Sequence, residues 1–207
     1  MNVERVGDVV YSDYRRIIGV EEEEVPTHLN TNDTGPYLVV SADNLFVKYI
    51  GRGRSDYDVG SLQANCPAPI KKLLYYFEMY VENKGRRGKV SIGFTDQQFN
   101  KHRQPGWETH TFGYHGDDGK VFHDSGHGMR FGPTYTTGDT VGAGINKASQ
   151  DVFFTKNGKF IGSITRDYEG VLFPTVGLHS PDEGVVVNFG QQEFVFNIQQ
   201  LTQDLFQ

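Results

Sequence analysis

Residues 73–82, Leu73-Leu74-Tyr75-Tyr76-Phe77-Glu78-Met79-Tyr80-Val81-Glu82 (LLYYFEMYVE), decide the fold of this chain. Tyr76, Glu78, Tyr80 and Glu82 fall on one parity, and Phe77, Met79 and Val81 fall on the other. A period of two is that of a β-strand whose side chains alternate between the faces of a sheet. The apolar parity is expected to face a core, with the Tyr/Glu parity pointing away from it. Lys84-Gly85-Arg86-Arg87-Gly88 then reads as a turn, and Val90, Ile92 and Phe94 alternate along a strand that returns antiparallel.

The same period recurs outward from this hairpin. Strands are predicted at Leu45–Tyr49, Asp151–Lys156, Lys159–Ile164, Leu172–Leu178, Val185–Phe189 and Phe194–Ile198, and Val141, Ala143 and Ile145 alternate with Gly142, Gly144 and Asn146. Asn157-Gly158 is a two-residue hairpin signal, because both residue types tolerate the positive φ of a type I′ turn. Residues 95–138 differ, being rich in Gly, His, Asp, Gln and Pro. They read as long loops broken by short strands at Phe112–Tyr114 and Lys120–His123. Loops of that length inside a compact domain tend to be functional. Many short strands with frequent turn signals predict an all-β, two-sheet antiparallel sandwich.

Composition agrees. The 207 residues include 25 Gly, 15 Phe and 11 Tyr. A disordered chain would be poor in aromatics, and the glycine excess over the usual ~7% suits a fold of many turns. A chain this long buries enough surface to fold without a disulfide or metal. The net charge of −6 and the scattering of Lys71-Lys72, Arg52/Arg54 and Lys84/Arg86/Arg87/Lys89 among acids argue against nucleic acid as a partner. Cys66 is the only cysteine, which suits a reducing compartment, cytoplasm or nucleus. The N-terminus lacks the apolar core of a signal peptide, and no run approaches ~18 apolar residues, so neither secretion nor a membrane span is expected. Asn32-Asp33-Thr34 is therefore read as a chance glycosylation match.

Residues 1–29 read as a leader containing the acidic run Glu21 to Glu24 and Pro26, with residues 3–18 open between a short helix and an edge strand. Residues 30–198 read as the domain and 199–207 as a tail.

Catalytic constellations are weak. His123 and His127 have the spacing of a helical metal pair, but Gly126 and Gly128 argue against a helix there. Ser125 lacks the surroundings of a nucleophile elbow. Asp117-Asp118 read as turn residues rather than as carboxylates spaced across a cleft. Gly51-Arg52-Gly53 and Gly142-Ala143-Gly144 lack the remainder of a phosphate loop, and Cys66 reads as a buried thiol. Trp107 either pins its loop onto the core or serves as an exposed contact anchor.

A series of ordered motifs carries a resemblance. It comprises Arg103-Gln104-Pro105-Gly106-Trp107, GYHGDDG (113–119), FGPTYTTGD (131–139), FTKNG (154–158), LFPTVGL (172–178) and VNFG (187–190) before Phe194-Val195-Phe196. Over roughly residues 30–198 the chain resembles the SPRY domain of the Ran-binding-protein-M family. Leu29-Asn30-Thr31 resembles plant or protist members more than animal ones. The resemblance implies a bent, jelly-roll-like sandwich without enzymatic activity or cofactor, binding short peptide segments through loops at one end. It further implies following LisH, CTLH and CRA regions, which residues 199–207 do not contain, and a place in a CTLH/GID-type ubiquitin ligase, with other subunits of that assembly among the partners. The isolated domain is expected to be a monomer.

By position, the implied binding surface involves four loops. Gly51 to Ser61 supplies Arg52, Arg54, Asp56 and Tyr57. Gln97 to Trp107 supplies Phe99, Asn100, Gln104 and Trp107. His115 to Gly119 supplies His115, Asp117 and Asp118, and His179 to Glu183 supplies Ser180 and Pro181. Asn100 and Gln104 are expected to offer bidentate hydrogen bonds to a peptide backbone. The alternatives are a lectin-type carbohydrate-binding sandwich, since its loops would also use aromatics with Asp and Asn, and, further off, a sandwich hydrolase.

Overall fold

The computed structural model describes residues 23–204. Expectations for residues 3–18 and for Glu21 and Glu22 fall outside those residues. The described chain forms β1 (Leu38–Val40), β2 (Phe46–Tyr49), β3 (Gly60–Gln63), β4 (Leu74–Lys84), β5 (Ser91–Thr95), β6 (Phe112–His115), β7 (Lys120–His123), β8 (Met129–Arg130), β9 (Thr140–Asn146), β10 (Asp151–Lys156), β11 (Lys159–Thr165), β12 (Phe173–Leu178), β13 (Glu183–Asn188) and a short helix, α1 (Ile198–Asp204). A seven-stranded sheet runs β1-β2-β13-β4-β9-β10-β11, and a six-stranded sheet runs β3-β12-β5-β6-β7-β8. The pairings are antiparallel, as in β4 with β9, β13 with β4 and β12 with β5.

The core lies between the sheets. Phe77, Met79 and Val81 of β4 are each 0% exposed, as the apolar parity predicts. Phe77 meets Phe94 of the opposite sheet edge-on at 5.6 Å, and Tyr114 and Phe154 pair across the same space at 5.6 Å. Each fully buried aromatic of this kind contributes roughly 1.5–3 kcal/mol. The Asn157-Gly158 turn has φ of 48° and 74° and joins Lys156 to its partner Lys159, which is the type I′ hairpin expected.

The structure departs from the sequence reading in several places, the first being that β4 and β5, expected to return antiparallel on one another, lie in different sheets and do not pair. Phe194–Ile198 is not a strand. Its Val195 and Phe196 N–H groups bond the Glu78 carboxylate instead of a neighbouring ladder, and the segment crosses the outer face of β4 before entering α1. Tyr76 and Glu78, on the outward parity, are consequently buried, whereas Tyr80 farther along β4 stays exposed. At the other terminus, Leu29 is 1% exposed, donates to Asn44 O at 2.9 Å and bridges Ala64. The Glu23 carboxylate accepts from Ile70 N and, at 2.8 Å, from Lys71 N. Packing therefore begins before residue 30, and the acidic run does not lie wholly outside the sandwich.

Candidate functional site

One end of the sandwich collects connections from both sheets, most of them crossing from one sheet to the other. The β2–β3 loop, the β6–β7 turn and the β12–β13 loop emerge there, together with the β4–β5 turn (residues 85–90). The β5–β6 loop (residues 96–111) leaves from the opposite end of β5, yet its second half returns across the outer face of the six-stranded sheet. Glycines make that return possible. A Cβ on Gly177 would lie 2.1 Å from Gln104 Oε1, and one on Gly113 would lie 2.0 Å from Pro105 O. With no side chains there, residues 104–106 lie flat on β12 and β6.

The rim is held from within. Gln104 Nε2 donates to Lys89 O at 3.0 Å, its Oε1 accepts from Ser91 Oγ, and Ser61 Oγ donates to Arg103 O at 2.7 Å. Asp58 Oδ2 accepts from Arg54 N at 2.7 Å and Ser55 N at 3.2 Å, and those bonds hold its carboxyl below the usual range. His179 Nε2–H donates to Ser55 O at 2.7 Å. Gly53, at φ 57°, approaches so closely that a Cβ would lie 2.2 Å from His179 O. Arg87 joins the same junction, its Nη1 donating to Gly53 O at 3.4 Å and its N–H to Ser180 Oγ at 3.1 Å.

Arg103 is the centre of the exposed chemistry. Its guanidinium lies 5.8 Å from the Tyr57 ring and 4.8 Å from the Trp107 ring, with Nε 3.8 Å from Glu108 Oε1. Tyr57 is 72% exposed. Beside Trp107 opens a recess of about 330 Å³ lined by His115, Asp117, Asp118, Lys89 and His179. Burial lowers the His115 pKa to about 4, and Nε2–H donates to Pro105 O at 2.9 Å, so this imidazole is neutral. Burial lowers His179 as well. Crowding at the mouth of the recess, with the adjacent Asp118 charge, raises the Asp117 carboxyl above the ordinary value although the residue still reaches solvent. Asp118 pairs with Lys120 at 3.2 Å. Trp107 Nε1 and His179 Nδ1 are buried without a hydrogen-bond partner among the described residues.

The sequence-predicted residues divide into distinct groups. Arg52, Arg54, Asp56, Tyr57, Asp117 and Asp118 are exposed at the rim, with Pro181 half-buried beside them. Gln104, His115 and Ser180 are buried, and their polar atoms are engaged inside the chain. Gln104 thus offers no free carboxamide to a ligand; it positions the rim. Phe99 is 4% exposed and borders a different depression, next to Gly35 and Pro36. Asn100 is exposed, but its Oδ1 already accepts from His102 N. Trp107 is half-buried and pins its loop, packing 6.4 Å from Phe122 while its face meets Arg103. Lys89, Arg87 and Arg103 were not among the predicted contacts. The turn glycines Gly85 and Gly88, both at positive φ, were the available signal for the β4–β5 connection.

Among the described residues, His123, Asp124 and Asp167 form a group with metal-ligand chemistry. The His123 nitrogens face Thr111 O at 3.1 Å and Asp167 Oδ1 at 2.9 Å, which accounts for them as a loop tie.

Comparison with known proteins adds the following. A family model described as SPRY domain matches residues 74–192. The Ran-binding protein M homolog of Arabidopsis thaliana is 54% identical over 86% of this chain, and human Ran-binding protein 9 is 43% identical over 87%. The chain spans 38% and 25% of the lengths of those relatives. A crystal structure of a human SPRY domain matches with a TM-score of 0.66 at 33% identity, covering 76% of this chain and 98% of that one.

Proposed function

The chain belongs to the SPRY domain family, among relatives of Ran-binding protein M, and from that premise we propose that it is a non-catalytic adaptor domain that docks a short extended segment of a partner protein on its loop rim. Family membership supports protein–protein interaction in general; the docking mode is our inference. One observation carries it. Loops far apart in sequence are fixed to one another by buried bonds, and they leave the exposed Tyr57 beside the half-buried Arg103 and Trp107 at the rim. A preformed surface loses little entropy on binding, so a short peptide can reach roughly micromolar affinity, about −8 kcal/mol. Arg52, Arg54 and Asp56 add charge-assisted bonds of both signs.

The assembly we favour is a CTLH/GID-type ubiquitin ligase, in the cytoplasm or nucleus, on the strength of the family resemblance and the buried free thiol of Cys66. A lectin-like role is disfavoured by Trp107, because the face a sugar ring would stack on already holds the Arg103 guanidinium. The test is a pull-down with the full chain against Tyr57→Ala and Arg103→Ala variants, run beside a glycan array. Loss of the same protein partners from both variants supports the rim. Undiminished capture by both, or glycan binding in place of protein, overturns it.

A further inference from the structure

A carboxylate on the outward parity of a central strand normally belongs to solvent. Glu78 is 3% exposed instead, and the chain's own later residues enclose it. Oε1 accepts from Phe196 N at 2.9 Å and from Tyr76 Oη at 2.8 Å, and Oε2 accepts from Val195 N at 3.0 Å. Two successive backbone N–H groups converging on one anion make the kind of concavity that binds carboxylates and phosphates. Here the anion belongs to the sheet and the N–H pair to the visiting segment.

The surface around Glu78 is shaped as a groove. Its floor is the glycine parity of β9. A Cβ on Gly142 would lie 2.0 Å from Tyr76 Oη, and one on Gly144 would lie 2.2 Å from the Phe153 ring. Absence of those side chains lets Tyr76 and Phe153 stack across β9 at 5.9 Å with an interplanar angle of 5°. Tyr76 is fixed further by a 2.7 Å bond to Thr155 Oγ1. Phe194 meets Tyr76 edge-on at 5.0 Å, and Phe196 lies 5.6 Å from Tyr76 and 6.4 Å from Phe153. The hairpin tip closes one side, since a Cβ on Gly158 would lie 2.9 Å from Val195 O. Asn188 turns the chain into the groove, its Oδ1 accepting from Gly190 N at 2.9 Å and Gln192 N at 3.2 Å.

We propose that this outer face of the seven-stranded sheet is a second docking groove, separate from the loop rim, built for an extended segment with aromatic residues at alternate positions, and that its resident ligand is the chain's own Phe194-Val195-Phe196. Recognition divides into two parts. The aromatic pair supplies burial and ring contacts, and Glu78 reads the backbone N–H groups of the second and third positions. The contacts made with the middle residue are to its backbone, and Val195 is 57% exposed, so that position is free to vary. The groove faces away from the rim: Glu78 pairs with Asn188, whereas the rim end of β4 pairs Lys84 with Glu183. The two sites can therefore be tested independently.

The experiment empties the groove in the full chain. A Phe194→Ala/Phe196→Ala double variant keeps every groove residue but weakens the resident segment. A fluorescent synthetic peptide covering residues 190–200 is then titrated by polarisation. Saturable binding to the double variant, at least tenfold weaker binding to wild type, and loss of binding when Glu78→Gln is added are expected. A folded double variant that ignores the peptide, or binding indifferent to Glu78→Gln, overturns the proposal. Should the double variant fail to fold, hydrogen exchange on the single Glu78→Gln chain decides. Faster exchange of the Val195 and Phe196 amides, with the β4 and β9 ladders still protected, supports the groove; unchanged exchange at those two amides overturns it.

Discussion

Glu183, the first residue of β13, accepts the backbone N–H of Lys89 at 2.6 Å and so joins the last interstrand connection to the β4–β5 turn. Its other oxygen accepts from His179 N at 2.6 Å and Ser180 N at 2.9 Å. Burial pushes the carboxyl upward while these bonds to the charged form pull it down, and burial prevails. Replacing Glu183 with Gln sets an NH2 group against backbone donors. A loss of about 1–3 kcal/mol is expected, read as a lower thermal midpoint, with faster hydrogen exchange at His179 and Ser180. A variant as stable as wild type would show that the rim is not held from this residue.

Tyr57 and Phe99 should separate binding from folding. Tyr57→Ala removes an exposed ring and should leave the melting temperature within a degree or so while weakening partner binding by about thirtyfold, ~2 kcal/mol at a hot spot. Phe99→Ala removes a buried ring and should cost ~3–5 kcal/mol of stability. Isothermal titration with a captured partner peptide, beside calorimetric melting of both variants, distinguishes the two behaviours.

His115 gives a pH signature. Its ordinary value is 6.5, and burial lowers it to about 4 in the folded chain. Between those values the unfolded chain binds a proton that the folded chain refuses, so stability falls as the pH drops through that window. The full effect is on the order of 3 kcal/mol. His115→Gln, which can still donate to Pro105 O, should flatten the melting-temperature profile between pH 6.5 and 4. Parallel profiles for the two chains would count against a neutral buried imidazole.

The hairpin offers a local test. At φ 74°, Gly158 occupies a conformation that a β-branched residue resists, and its missing Cβ also leaves room for Val195 O. Gly158→Val should destabilise by roughly 1–2 kcal/mol. Denaturant titration measures this directly, and an unshifted midpoint would contradict the turn assignment.

How far the sequence reaches can be judged from particular elements. Residues 73–82 disclose β4 because the pleat repeats every two residues, and Asn157-Gly158 discloses its hairpin because few residue pairs accept positive φ twice. Phe194-Val195-Phe196 misleads for the same reason. Alternating aromatics look like a strand whether their backbone groups bond a ladder or a carboxylate. Nothing in Glu78 itself signals burial; only the glycines at 142 and 144, which alternate without a core reason, hint that something lies flat against β9. At the rim, Arg52 to Tyr57 and Asp117-Asp118 are found as polar loop residues. The part played by Gln104 is hidden because its partners, Lys89 and Ser91, come from the β4–β5 crossover between the two sheets.

The strand order carries a consequence for how the chain is made. β13 lies between β2 and β4, and β12 lies between β3 and β5. Two interior strands, one in each sheet, are thus the last two strands among the described residues. During synthesis β1 to β11 leave the ribosome with a gap in each sheet, and β4 presents an unpaired edge until Glu183–Asn188 arrives. Pairing across so long a separation is intrinsically slow, and an open edge invites association with other chains. The nascent polypeptide is thus expected to pass through a vulnerable interval that ends only when β12 and β13 insert between their neighbours, and slowing elongation before residue 173 should lengthen that interval and its demand on chaperones.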